Sequence, residues 1–118
     1  MGSKTFEDLV VWQKAHQFVL DCYRLTSGFP RYEIFGLTAQ MRRAAISVPA
    51  NIAEGFKKRT SAERLHFYNI AQGSIEESRY YLILANDLEY GNVDPQRSQL
   101  SEASRLLERY MQAVKNDR

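Results

Sequence analysis

The 118-residue sequence predicts an all-α fold, an antiparallel up-down-up-down bundle of four helices with a left-handed twist. Three observations carry that expectation. Apolar residues recur at helical spacing in four segments, and no stretch alternates as a half-buried strand would. The segments are separated by stop and cap residues: Gly28 with Phe29 and Pro30, Gly55 through Thr60, and Gly91 through Pro95. These connections are short, which places sequential helices side by side and antiparallel. The expected organisation is one domain over residues 1–118, with helices at about 8–27, 34–56, 60–89 and 95–116.

The first helix spreads Val11, Trp12, Ala15, Phe18, Val19, Leu20, Cys22, Tyr23 and Leu25 over more than half of its circumference. A surface helix of a monomer needs an apolar stripe of little more than 100°. The second helix is unusually poor in large side chains, with Ala39, Ala44, Ala45, Ser47, Ala50 and Ala53 allowing other backbones to approach. Such a helix is stabilised by its neighbours, which marks it as the element the others pack against. Pro49 lies inside it and predicts a kink or break near Ile46, because proline removes a hydrogen bond and crowds the carbonyl four residues earlier. Gly55 reads as its C-terminal stop.

Thr60 and Glu63 form a capping-box pattern at the start of the third helix. Its main stripe is Phe67, Ile70, Ala71, Ser74, Ile75, Ser78, Tyr81, Leu82, Ala85 and Leu88, and a second apolar group, Leu65, Tyr80, Ile83 and Leu84, lies off it. Gly91 and Asn92 close this helix. Asp94 as N-cap with Pro95 in the first turn opens the fourth, whose apolar residues Leu100, Ala103, Leu106, Leu107, Tyr110, Met111, Ala113 and Val114 keep to one face. Helices one and three thus carry more apolar surface than one core requires, and helix four does not. That surplus predicts a homo-oligomer of closed symmetry.

At this length a domain buries roughly two-thirds of the surface its unfolded chain exposes, so no disulfide staple is required. One cysteine, Cys22, excludes a disulfide framework and fits a reducing compartment. No apolar run reaches membrane-spanning length and the N-terminus has no signal-peptide core, so the expectation is a cytoplasmic protein.

Catalytic and metal chemistry finds little support. A di-iron bundle needs Glu-x-x-His on two helices. Glu63 and His66 supply one, His16 is preceded at that distance by Gln13, and Glu63 already serves the cap. Two isolated histidines fall short of a zinc site, and Ser47 and Ser74 read as packing residues without a base. The expectation is a non-enzyme that uses no cofactor.

Charge is more informative. The net charge is only +2, but residues 31–64 hold seven bases against three acids. Arg42, Arg43, Lys57, Lys58, Arg59 and Arg64 are the candidate nucleic-acid-binding residues, since each base near a phosphate releases counterions and an oligomer repeats the patch. Phe56 and the Tyr80–Tyr81 pair could offer stacking surfaces, but core packing is the favoured reading of them. Asn51 and Glu54 read as a structural polar pair, Asn51 bonding the backbone carbonyl of Ala45 or Ile46 that proline frees, and Glu54 pairing with Arg43 or a residue of helix three.

The run Gly36-Leu37, Gln40, Arg42-Arg43, then Ser47 through Gly55, resembles the signature of the four-helix-bundle family of 23S rRNA intervening-sequence proteins. The flanks agree: Phe6, Leu9 and Val11 through Ala15 upstream, and Phe67, Ile70, Ala71, Gly73, Ser74 and Glu77 downstream. The resemblance covers about residues 6–90. It implies a pentameric ring with a central channel, as in related members. It also implies a tie to RNA, since some relatives are encoded inside ribosomal RNA genes. More distant ones, the accessory variability determinants of diversity-generating retroelements, bind a reverse transcriptase and its RNA. The function expected is a non-catalytic, homo-oligomeric scaffold that binds structured RNA by shape and charge. The alternative is a protein-interaction adaptor, such as an accessory factor to a reverse transcriptase.

Overall fold

A computed structural model describes residues 2–117. It contains four helices, α1 (Val10–Thr26), α2 (Leu37–Phe56), α3 (Ser61–Asp87) and α4 (Asp94–Asn116), and no strand among the described residues. Short 3₁₀ turns, Phe6–Asp8 and Arg31–Glu33, precede α1 and α2. The molecule measures 47 × 23 × 20 Å. Helix α1 packs on α2 and α4, and α3 packs on the same two.

Asp8 belongs to the first 3₁₀ turn rather than to α1, because Leu9 is extended between them. Thr5 caps that turn, its side chain accepting from the Glu7 amide while its own amide donates to Asp8. The second 3₁₀ turn likewise delays α2 to Leu37. Its Glu33 carboxylate accepts from the Leu37 amide at 3.0 Å, supplying the cap that Gly36 cannot.

Helix α2 runs through Pro49 as one continuous helix, so of the expected kink or break, the break does not occur. Helix α3 opens on Thr60, whose hydroxyl accepts from the Glu63 amide at 3.1 Å. The return contact of the capping box goes from the Thr60 hydroxyl, not its amide, to the Glu63 carboxylate. The helix ends two residues earlier than expected, on the carbonyl-satisfying pattern in which Glu89 accepts a left-handed φ of 61°. The Glu89 amide then donates to the Asn86 carbonyl and the Tyr90 amide to the Ala85 carbonyl. Asp94 is the first residue of α4 rather than its cap, and its amide is taken by the Asn92 side chain.

The core runs the length of the bundle, with Phe18, Ile52, Tyr68, Ile75, Leu82, Leu100 and Leu107 each fully buried. Tyr68 was not expected there. Its ring lies against the Cα of Gly55, where a Cβ would stand 2.6 Å from Tyr68 Cε1. Gly55 is therefore needed for close helix approach inside α2, not as a stop. Ile70 and Leu88, expected in the main stripe of α3, are exposed, as is Ala113 of α4.

Exposed large apolar side chains occur on α1 (Val10, Leu20, Tyr23), α2 (Ile46) and α3 (Ile70, Tyr80, Ile83) and none on α4. The asymmetry follows the sequence pattern. Trp12, Leu65 and Leu84 are instead partly covered by their own core.

Candidate nucleic-acid interface

The six candidate bases do not form one surface. Arg42 and Arg43 lie in the first third of α2, and Lys57 follows Arg43 by roughly 21 Å along the helix axis. Their roles differ with their surroundings.

Arg42 is folded back onto α1. Its Nε donates to Thr26 Oγ1 at 2.8 Å and its guanidinium lies 4.4 Å from the centre of the Tyr23 ring. Thr26 passes its own proton to the Cys22 carbonyl at 2.8 Å. The neighbouring Cys22 thiol is buried, and burial pushes its pKa up to about 11, so it is a poor nucleophile.

Arg43 is engaged on α3. It donates to Glu77 and, through Nε, to Gln40 at 3.0 Å. The Tyr81 hydroxyl donates to the same Glu77 oxygen at 2.7 Å. Tyr81 first, then Arg43, hold the Glu77 carboxyl below the usual carboxylate range, and Glu77 in turn raises Arg43. The still-charged Arg43 guanidinium is thus paired with a carboxylate and the Tyr81 hydroxyl is engaged with it, so both already have partners within the protein.

Asn51 and Glu54 take separate partners, as expected, but not the ones expected. The Asn51 side-chain amide donates to the Ser47 carbonyl at 2.8 Å and to Ser47 Oγ at 2.9 Å, and Ser74 Oγ donates to Ser47 Oγ at 2.8 Å. The partner is backbone, as expected, but it is Ser47 rather than Ala45 or Ile46, one turn below the amide. Glu54 takes Lys58 at 3.3 Å, four residues on in its own chain direction, and not Arg43.

The remaining bases gather where α2 passes into α3. Arg64 Nε donates to the Lys58 carbonyl at 2.8 Å, pinning the loop to the first turn of α3. Lys58 also lies 5.1 Å from the centre of the Phe67 ring. Among the described residues neither Lys57 nor Arg59 has a carboxylate within ion-pair distance. Two open clefts flank this loop. One, of about 570 Å³, is lined by Arg59, Ser61, Arg64, Tyr110, Asn116 and Asp117 among others. The second, of about 540 Å³, is lined by Ser3, Phe56, Lys57, Lys58, Arg59, Arg64 and Tyr110.

Phe56 and Tyr81 pack against the core, as favoured, though Phe56 also borders the second cleft, and Tyr80 is exposed away from the bases. The aromatic that sequence reasoning missed is Tyr110, which the helical pattern of α4 assigns to the core. Only its place in the lining of both clefts with Arg59 reveals it.

Glu63 and His66 stay apart in function: Glu63 serves the cap and His66 stands edge-on to Phe67, ring centres 5.2 Å apart. No helix is long and apolar enough to cross a membrane among the described residues.

Four packed helices, with Lys57, Lys58, Arg59 and Arg64 gathered where α2 passes into α3, define an all-α helical-bundle protein. The chain belongs to the 23S rRNA-intervening sequence protein family, whose family model matches residues 7–111. A solved structure of a protein with unknown function from the S23 ribosomal protein family of Bacteroides thetaiotaomicron shares the fold. The TM-score is 0.80 at 24% identity, over 87% of this chain and 96% of that one. A comparison with curated proteins finds no match.

Proposed function

We propose that the protein is a non-catalytic, cytoplasmic RNA-binding scaffold that works as a homo-oligomer. The observation that carries the reading is the α2–α3 corner: Lys57 and Arg59 without acidic partners, Lys58 and Arg64 braced beside them, and open concave surface on both sides. Recognition through such a corner is governed by charge and shape. Membership of a family tied by name to 23S rRNA supports RNA as the ligand.

The chain is a single up-down-up-down bundle with a left-handed twist in this reading. Cross-helix partners support the antiparallel order: Thr26 of α1 meets Arg42 of α2, Arg43 meets Glu77, Ser47 meets Ser74, and Tyr68 lies beside Tyr110. In each pair of helices, contacts early in one fall late in the other.

Oligomerisation covers the apolar surface left on α1, α2 and α3. An open groove of about 290 Å³ between α1 and α2, lined by Trp12, Val19, Ile46 and Pro49 among others, is a largely apolar part of that surface. Five copies in a ring is the number the family resemblance implies. The same groove supports the second reading, an adaptor that docks a protein partner such as a reverse transcriptase.

Titration of labelled structured RNA against salt tests the proposal. Affinity should fall steeply as salt rises, and a Lys57, Lys58, Arg59 triple alanine variant should lose most of it and flatten the slope. Affinity indifferent to both salt and substitution refutes RNA binding through this corner.

A further inference from the structure

We propose that the basic corner takes unpaired nucleotides, with Tyr110 as the platform on which a base stacks. The inference rests on the RNA-binding reading above and specifies its ligand as single-stranded rather than duplex.

Tyr110 is the shared wall of the two clefts, together with Arg59 and Arg64. It is partly buried, packed against the edge of the core, and lies against Tyr68, ring centres 5.3 Å apart and planes inclined by 58°. Tyr68 is fully buried, so this backing holds the Tyr110 ring in place and saves a ligand the cost of ordering it.

The two clefts differ in chemistry. Lys57 and Lys58 join Arg59 and Arg64 in the second, which suits phosphate. Ser61, Asn116 and Asp117 join them in the first, where donors and acceptors suit the edge of a base and Asp117 repels phosphate. A strand passing over Tyr110 then has its phosphates on one side and an exposed base on the other. A duplex keeps its bases stacked inside and presents no such face.

The test measures binding of a labelled single-stranded oligoribonucleotide, its duplex and an abasic oligomer of equal length. The expected result is that wild type binds the single strand at least several-fold more tightly than either of the others. Tyr110→Ala should lose roughly five- to tenfold or more of single-strand affinity, while Tyr110→Phe stays within about twofold. Equal binding of all three ligands by wild type overturns the inference even if Tyr110→Ala proves poorly folded. If the triple alanine variant loses binding but Tyr110→Ala does not, the stacking platform is refuted and the RNA-binding reading survives. If neither variant changes affinity, both fall.

Discussion

At the scale of single residues, an arginine's neighbours decide whether it is a structural tie or a ligand contact. Arg42 spends its guanidinium on Thr26 and Tyr23. Arg42→Ala should therefore cost stability, on the order of 1–2 kcal/mol from the lost hydrogen bond and ring contact, and leave RNA affinity unchanged. Urea melts alongside RNA titration would reveal the opposite split if Arg42 were a phosphate contact. Gly55 is the second instance. Alanine is the better helix former by about 1 kcal/mol, yet its Cβ would press into the buried Tyr68 ring. Overcrowding of roughly 1–3 kcal/mol outweighs the propensity gain, so Gly55→Ala should lower the melting temperature. A variant as stable as wild type would mean that the Tyr68 ring moves aside freely.

At the scale of elements, the turns before α1 and α2 do what the helices cannot do for themselves. Glu33 joins two connections at once, its carboxylate accepting from the Leu37 amide and from the Tyr90 hydroxyl at 2.7 Å. The backbone donor first, and Tyr90 second, hold its pKa below the ordinary 4.5. A lowered folded value means that the stabilisation is fully present above the unfolded value and disappears as pH falls through the folded one. Wild type should thus melt higher than Glu33→Gln at neutral pH, and the difference should close on acidification below about 4.5. A gap that persists unchanged into strong acid would show that the charge plays no part. Helix boundaries were legible to within a few residues, because caps and glycines announce them. The 3₁₀ turns were not, because Phe6–Asp8 and Arg31–Glu33 are too short to show a period.

At the scale of the whole molecule, the surplus of apolar surface on α1, α2 and α3 against none on α4 is the feature that asks for a partner. Ile46, 43% exposed and lining the groove between α1 and α2, is the side chain whose change tests it. Light scattering coupled to size exclusion should find the wild-type chain as an oligomer and Ile46→Glu as a smaller species, since an unpaired carboxylate in an apolar interface is strongly disfavoured. A wild-type chain that remains monomeric at high concentration removes the assembly. It also removes the pooling of basic corners that would make each weak patch effective.

The sequence by itself determined the four helices, the charge concentrated between residues 31 and 64, and the apolar excess on two of the helices. These follow from local periodicity and composition, which neighbours in space do not alter. Only the tertiary structure decided which bases lack an acidic partner, that Asn51 bonds Ser47 and Glu54 takes Lys58, and that Tyr110 and Arg59 line the same clefts. Side chains far apart in sequence settle those matters by competing for the same space and the same hydrogen bonds, and that competition has no signature along the chain.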